Sequence, residues 1–190
     1  MIVLRDHVGL SKGYSLLSYV TPLQRDKSAL WGDVEELLPA EARDFFRGTV
    51  YANDWYPRGY FHAFMEAFHE AVHDDQAEVR ELGAMGARFQ VHVIYRLFLK
   101  FATPAMVFRR AASVWSRQST VGSFAVIEEM GDYLLGQLDD PDMPMGLAEL
   151  ICGWSDTMIA LLGRTPYPTT WEKAGPQRWR FRVSWLGRGG

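Results

Sequence analysis

Three histidines and one glutamate recur at helical spacing in a single segment, and they are the side chains of this chain most suited to metal chemistry. His62, Glu66, His69 and His73 follow one another at intervals of four, three and four residues, so they share one stripe of a helix. The stretches EAFH and EAVH both match the Glu-x-x-His spacing by which helices of di-metal carboxylate proteins present their ligands. A helical metal site is therefore one possible function.

Two observations weigh against that metal site. A di-metal bundle needs a matching helix, but the sequence holds no such helix, and His92 is the only later histidine. At 100° per residue the stripe lies about 110° from the centre of the helix's phenylalanine-rich apolar face. We therefore expect a polar flank with partly exposed histidines, and we predict no bound metal and no cofactor.

Signatures of a catalytic nucleophile are missing. The sequence has no G-x-S-x-G, no glycine-rich phosphate loop and no cysteine in a protease-like context. The single cysteine, Cys152, has apolar neighbours and is expected to be a small buried hydrophobe that forms no internal disulfide. We predict a non-enzymatic protein without catalytic residues.

The elements that would position any site change in character near residue 120. Residues 1–118 are mainly helical by their apolar periodicity, whereas 119–186 read as two strands, a helix and two more strands. The prediction is one α+β domain over residues 1–190, with N-terminal helices followed by a four-stranded antiparallel sheet in ββαββ order. Its strands are expected within 121–139 and 164–185, with a helix over 146–162 against one face.

Local signals mark several positions in the helical part. Ser28 and Thr103 are candidate helix N-caps, and Pro57 suits the first turn of a helix. A long helix is expected over 76–101, where Gly83 would permit the close approach of a neighbouring element.

The last predicted strand alternates strictly between aromatic or apolar residues and arginines. Trp179 and Phe181 fall on one face and Arg180 on the other, because successive side chains of a strand point to opposite sides. The aromatics are expected to face the core, with the arginines directed towards the acidic residues of 128–142. Since the two sets cannot share one binding surface, we predict no nucleic-acid partner.

Several stretches resemble a known family. DWYP, VRELGAMGARF, IYRLFLKFATPAMVFRRAASVW and the closing W…G…W.F.VSW are similar to an uncharacterised family of bacterial, myxobacterial-type proteins of roughly this length. The tail also resembles the end of vinyl-4-reductase-type domains, which share a fold with TRAPP subunits. The resemblance implies a sensory or scaffolding domain, often dimeric, with an apolar cavity. The family's cysteine pattern is matched at Cys152, but Trp171 and Trp179 stand at its other two cysteine positions, so no metal is implied there.

The favoured function is a sensory domain that binds an apolar small molecule or lipid between helices and sheet. The candidate lining residues are bulky and come from different elements: Phe64, Phe68, Tyr95, Phe98, Phe108, Trp115, Trp154 and Met158. The alternative is a protein-interaction or scaffolding module that acts as a homodimer, because seven Trp, eight Tyr and eleven Phe exceed what one modest core needs. With no membrane span and no leader-like start, we expect a cytoplasmic protein.

Overall fold

The computed structural model describes residues 2–91, 99 and 101–186, and within them the chain has an α+β fold. The helices with described bounds are α1 (Gly13–Asp26), α2 (Ser28–Leu37), α3 (Ala40–Arg47), α4 (Gly59–Ala71), α5 (Gln76–Gln90), α6 (Pro104–Gln118) and α7 (Leu147–Leu161). Its strands are β1 (Leu10–Lys12), β2 (Trp55–Pro57), β3 (Ser123–Glu129), β4 (Tyr133–Asp139), β5 (Pro166–Gly175) and β6 (Arg178–Trp185).

Local sequence signals set several helix ends. Thr103, predicted as a cap, accepts a hydrogen bond at its hydroxyl from the Met106 amide at 3.3 Å, so α6 begins where expected. Ser28, also predicted as a cap, is instead the first residue of α2, and Lys27 occupies the capping position. The long helix expected over 76–101 is described as α5 only to Gln90, and most of its remainder lies outside the described residues.

The main sheet is antiparallel in the order β3-β4-β6-β5, with strands in the ranges that the sequence predicted. A second, two-stranded sheet was not predicted, and in it β1 pairs with β2. Pro57, expected in the first turn of a helix, instead pairs with Leu10. Three-residue strands carry too little alternation to be recognised from sequence, so the single predicted sheet was incomplete.

Strand β6 presents the two faces that its alternation predicted. Phe181 and Val183 are buried and stand opposite Gly136 and Leu134 of β4 on the core face. On the other face Arg178 forms an ion pair with Asp139 at 2.6 Å. The arginine face therefore meets the acidic hairpin of its own chain.

Helices α5 and α7 approach so closely that only glycine fits at their crossing. A Cβ at Gly83 would lie 2.0 Å from the Leu150 carbonyl oxygen, and one at Gly153 would lie 1.9 Å from the Arg80 carbonyl oxygen. Cys152 is completely buried at this crossing, as its apolar neighbours predicted. None of the helices that the structure describes is long and apolar enough to cross a membrane.

Candidate functional site

A cavity of about 290 Å³ lies between the helices and the main sheet. Helices α1, α5, α6 and α7 and strand β3 contribute its walls, which are mostly apolar. The lining residues are Tyr14, Tyr19, Gln90, Val91, Leu99, Val107, Arg110, Ala111, Val114, Trp115, Gln118, Phe124, Leu150, Ile151, Trp154 and Met158. This volume is close to the lower end of the roughly 300–1,000 Å³ typical of small-molecule sites.

Few polar groups interrupt the apolar lining, and two of them lack a partner. The indole N–H of Trp115 is buried without a hydrogen-bond acceptor among the described residues. Arg110 is exposed at the cavity wall, and no carboxylate in the described part of the chain pairs with it. By contrast, Trp154 donates its indole N–H to the Gln90 side chain at 3.0 Å. Within the part of the chain that the structure describes, the cavity thus offers a buried donor without an acceptor, at Trp115, and a cation without a carboxylate partner, at Arg110.

Tyr19 adds a phenol that remains protonated. Its burial, together with the nearby Tyr14, raises the pKa of Tyr19 well above its ordinary value. The phenol is therefore neutral at every physiological pH. It is a hydrogen-bond group in this cavity and not a source of phenolate.

The predicted cavity residues divide into three groups. Trp115, Trp154 and Met158 line the cavity, although ligand binding by them remains a prediction. Phe64, Phe68 and Phe108 are fully buried in the core and are not among the residues that line this cavity, so a ligand contact for them stays a prediction. Tyr95 and Phe98 lie outside the described residues.

The burial of these three phenylalanines in the core has a common explanation. Phe64 packs near Phe46 and Phe68, with ring centroids 6.1 and 6.3 Å away, on the side of α4 that contacts α2 and α3. Phe108 meets Trp154 edge to face at 5.7 Å and fills the space behind it. A bulky apolar side chain is equally suited to a core and to a cavity wall, so residue type could not distinguish them.

Sequence reasoning also missed lining residues that carry no special signal. Leu150, Ile151 and Arg110 belong to this group. They reach the cavity only through tertiary packing, which places α6 against β3 and α7 against α5 so that both helices border the same gap. A helical periodicity identifies the inward face of each helix but not the place where two such faces leave a gap.

The histidine stripe on α4 lies in a different environment from the one predicted. His62 and His69 are each only 4% exposed, so the expectation of a solvent-bordering flank was wrong for both, while His73 is exposed. The loop between β4 and α7 covers His62 and His69, and its Gly146 lies against His69 so closely that a Cβ there would meet Nε2 at 1.8 Å. Long-range packing of this kind is invisible to a helical wheel.

The loop brings His62 together with two residues that the sequence did not connect to it. His62, His7 and Asp142 each offer one potential ligand atom, and these atoms lie within 4.8 Å of one another. His7 and Asp142 form a hydrogen bond of 2.7 Å between Nδ1 and Oδ2. The imidazoles of His7 and His62 are stacked with their centroids 3.5 Å apart. We refer to these three residues as the His7 cluster.

The charge states within the His7 cluster follow from burial and neighbouring charges. Burial first, and the adjacent His7 second, lower the pKa of His62 to about 4, so its ring is neutral near pH 7. Burial by itself would raise the pKa of Asp142. The hydrogen bond from His7 and the nearby positive charges outweigh it, so the net shift is downward and the carboxylate is ionised.

A buried ion pair holds the loop that carries Asp142. Arg58 and Asp140 are 3% and 1% exposed, and the guanidinium binds both carboxylate oxygens at 3.0 and 2.6 Å. Asp140 also accepts a hydrogen bond from the Asp142 amide at 2.9 Å. The start of α4 and the β4–α7 loop are therefore fixed to each other beside His62.

The two tryptophans at the family's cysteine positions border a second cleft of about 340 Å³. Trp171 is 41% exposed and donates its indole N–H to Glu149 at 2.6 Å. Trp179 is half-buried and lies under the Lys173 ammonium. The prediction that no metal binds at these two positions stays a prediction, and it is based on the fact that neither indole has a lone pair for a metal.

Comparison with known proteins identifies the fold but no family. No protein-family profile and no curated protein matches this chain. Solved structures of H-NOX proteins do match. An oxygen-binding H-NOX domain related to soluble guanylate cyclases, solved as its oxygen complex, has a TM-score of 0.70 at 9% identity and covers 93% of this chain and 95% of its own.

Two further H-NOX structures agree with the first. The Fe(II) unliganded protein from K. algicida has a TM-score of 0.66 at 11% identity, over 93% of this chain and 97% of its own. The protein from S. oneidensis in its Fe(II)NO state has a TM-score of 0.67 at 8% identity, and the match covers 93% of this chain and 99% of the S. oneidensis chain. The chain thus has an H-NOX-like α+β fold, and the expected likeness to vinyl-4-reductase-type domains gains no support.

Proposed function

We propose that this chain is a sensory-type domain that binds an apolar small molecule in the 290 Å³ cavity. The observation that carries the proposal is the buried indole N–H of Trp115, which has no acceptor among the described residues, in a mostly apolar wall. A buried donor without an acceptor costs about 1–3 kcal/mol. A ligand that supplies an acceptor beside Trp115 removes this penalty while it fills apolar space.

The wall also indicates the polarity of the ligand. Most of it would contact an aliphatic or aromatic body, and Arg110 would attract an anionic group at one end. We therefore infer an apolar or aromatic compound with a single carboxylate or similar acidic acceptor. Lipid-derived acids and aromatic acids share this chemistry.

Heme is the ligand that the structural neighbours suggest, since several of them are described by their heme, their Fe(II) state or their bound oxygen or NO. Heme iron takes an axial His, Cys, Met or Tyr. The described lining holds neither His nor Cys, so its possible axial ligands are Met158, Tyr14 and Tyr19, of which Tyr19 resists ionisation. A porphyrin also needs a cavity well above the lower limit for small molecules. The described residues thus do not fit a heme; His92 lies outside them.

Fluorescence of 1-anilinonaphthalene-8-sulfonate, an aromatic body with one anionic group, tests the proposal. Ala111 lines the cavity and Ala112 does not, so Ala111→Trp should abolish the probe's emission increase while Ala112→Trp retains it. Arg110→Gln should weaken binding about tenfold, the loss of one charge-assisted contact, whereas Arg117→Gln on the same helix should not. Decanoate should compete with the probe.

Two results would contradict the proposal. Equal binding by the Ala111→Trp and Ala112→Trp proteins would place the probe elsewhere on the surface. A one-to-one complex with hemin, seen as a sharp Soret band, would show that the ligand class is wrong. Circular dichroism of each variant verifies that folding is unchanged.

The remaining expectations are retained as proposals. We infer that the chain is not an enzyme, on the ground that the cavity wall presents no nucleophile beside a base among the described residues. The alternative of a homodimeric scaffolding module remains a prediction. Exposed aromatic residues such as Tyr167 and Trp171 are the part of the surface that would serve it.

A further inference from the structure

The geometry points to a second site, separate from the cavity: a divalent transition-metal site formed by His7, His62 and Asp142. This proposal departs from the prediction of no bound metal, which considered only the stripe of α4 and the two tryptophan positions. Two imidazoles and one carboxylate are a ligand set suited to Zn²⁺, Co²⁺ or Fe²⁺. None of the three residues lines the apolar cavity. This inference therefore stands or falls independently of the proposed ligand.

The distances among the ligand atoms are close to those of a metal site. Asp142 Oδ2 lies 2.7 Å from His7 Nδ1 and 3.9 Å from His62 Nε2, and all three atoms are within 4.8 Å of one another. Tetrahedral coordination with bonds of about 2.0–2.1 Å places ligand atoms roughly 3.3 Å apart. The separations of 2.7 and 3.9 Å lie on either side of this value, so rotation of the His7 and Asp142 side chains would complete the site.

An unsatisfied buried nitrogen supports the same conclusion independently. His62 is 4% exposed, and its Nε2 has no hydrogen-bond partner within the described ranges. This is the atom that faces Asp142, at a separation too long for a hydrogen bond. A metal bound between the two would satisfy a group that is otherwise buried at a cost.

The surrounding structure would hold two ligands in place and leave the third adjustable. His62 is fixed on α4, and the Arg58–Asp140 pair and the Asp142 amide hold the loop. His7 lies in the segment before β1. Asp142 is 32% exposed, so the remaining coordination position faces water, as in sites with three protein ligands.

Metal binding would therefore tie the N-terminal segment to α4 and to the β4–α7 loop. These three parts of the chain are far apart in sequence. A ligand that binds only the folded state stabilises it in proportion to the logarithm of its concentration over Kd. Metal at about 100 times its Kd should raise the unfolding midpoint by several degrees.

A titration of EDTA-treated protein with Co²⁺ tests the site, with visible absorption as the readout. Competition by Zn²⁺ then gives the affinity of the site for Zn²⁺. The wild type should bind one ion per chain with the d–d bands of nitrogen and oxygen ligation. His7→Gln and Asp142→Asn should each weaken binding by about 100-fold. His73→Asn and Asp74→Asn are matched controls, because both residues are exposed and outside the His7 cluster, and they should bind as the wild type does.

Two outcomes would overturn the inference. The first is a wild-type protein that binds no Co²⁺ at millimolar concentration. The second is equal binding by the His7→Gln, Asp142→Asn and control proteins, which would assign the metal to other residues. His7 is in an irregular segment and Asp142 is partly exposed, so both variants should fold, and a thermal melt without metal verifies this.

Discussion

Replacing Gly83 by alanine should separate helices α5 and α7. The new Cβ would lie 2.0 Å from the Leu150 carbonyl oxygen, where ordinary contacts need at least 3.4 Å. That oxygen belongs to a helix backbone and cannot rotate away as a side chain would. The helices must therefore move apart by about 1 Å or more, which loosens the packing of the buried side chains along the crossing.

The magnitude follows from two opposing effects. Overpacking of a close contact costs typically 1–3 kcal/mol and sometimes more. Alanine gains about 1 kcal/mol over glycine inside a helix. Because the clash involves backbone on one side, the cost should exceed the gain, with a net loss of about 2 kcal/mol. For a chain of this size that corresponds to a decrease of roughly 4–8 °C in Tm.

Gly32 of α2 provides the matched control, because a Cβ there would meet nothing within 4 Å. Gly32→Ala should raise Tm by about 2–3 °C, through helix propensity alone. Differential scanning calorimetry of both variants measures the comparison. A Gly83→Ala protein as stable as the wild type would refute the close crossing of α5 and α7, and a Gly32→Ala protein destabilised to the same extent would refute the control.

Two further outcomes follow from buried groups. Arg58→Met leaves the Asp140 carboxylate buried and unpaired, so urea denaturation should show a free energy of unfolding lower by about 3–5 kcal/mol. The control is Arg178→Met, which breaks an exposed ion pair and should lower the free energy of unfolding by less than about 1 kcal/mol. Burial raises the pKa of Cys152 to about 12 from 9.0, so the folded state keeps a proton that the unfolded chain releases. The contribution of Cys152 to the stability of the fold is complete below pH 9 and is lost as the pH rises towards 12. In urea denaturation at increasing pH, the Cys152→Ala protein should therefore lose less stability over this range than the wild type does.

The sequence predicted the elements with strong periodicity. The alternation of β6 identified its core and solvent faces, and Thr103 marked the start of α6. Gly83 correctly indicated a close helix approach, because glycine inside a helix is costly unless a neighbour needs the space. These features depend on residues that are near one another in the chain.

The site depended on contacts between distant segments. The sequence grouped His62 with His69 and His73 because they share a helix stripe, whereas the fold groups His62 with His7 and Asp142, which are 55 and 80 residues away along the chain. The cavity likewise forms where faces of α1, α5, α6 and α7 fail to meet. Periodicity determines which side of each helix points inward, but only the angles and positions at which the helices pack determine what each inward side chain touches.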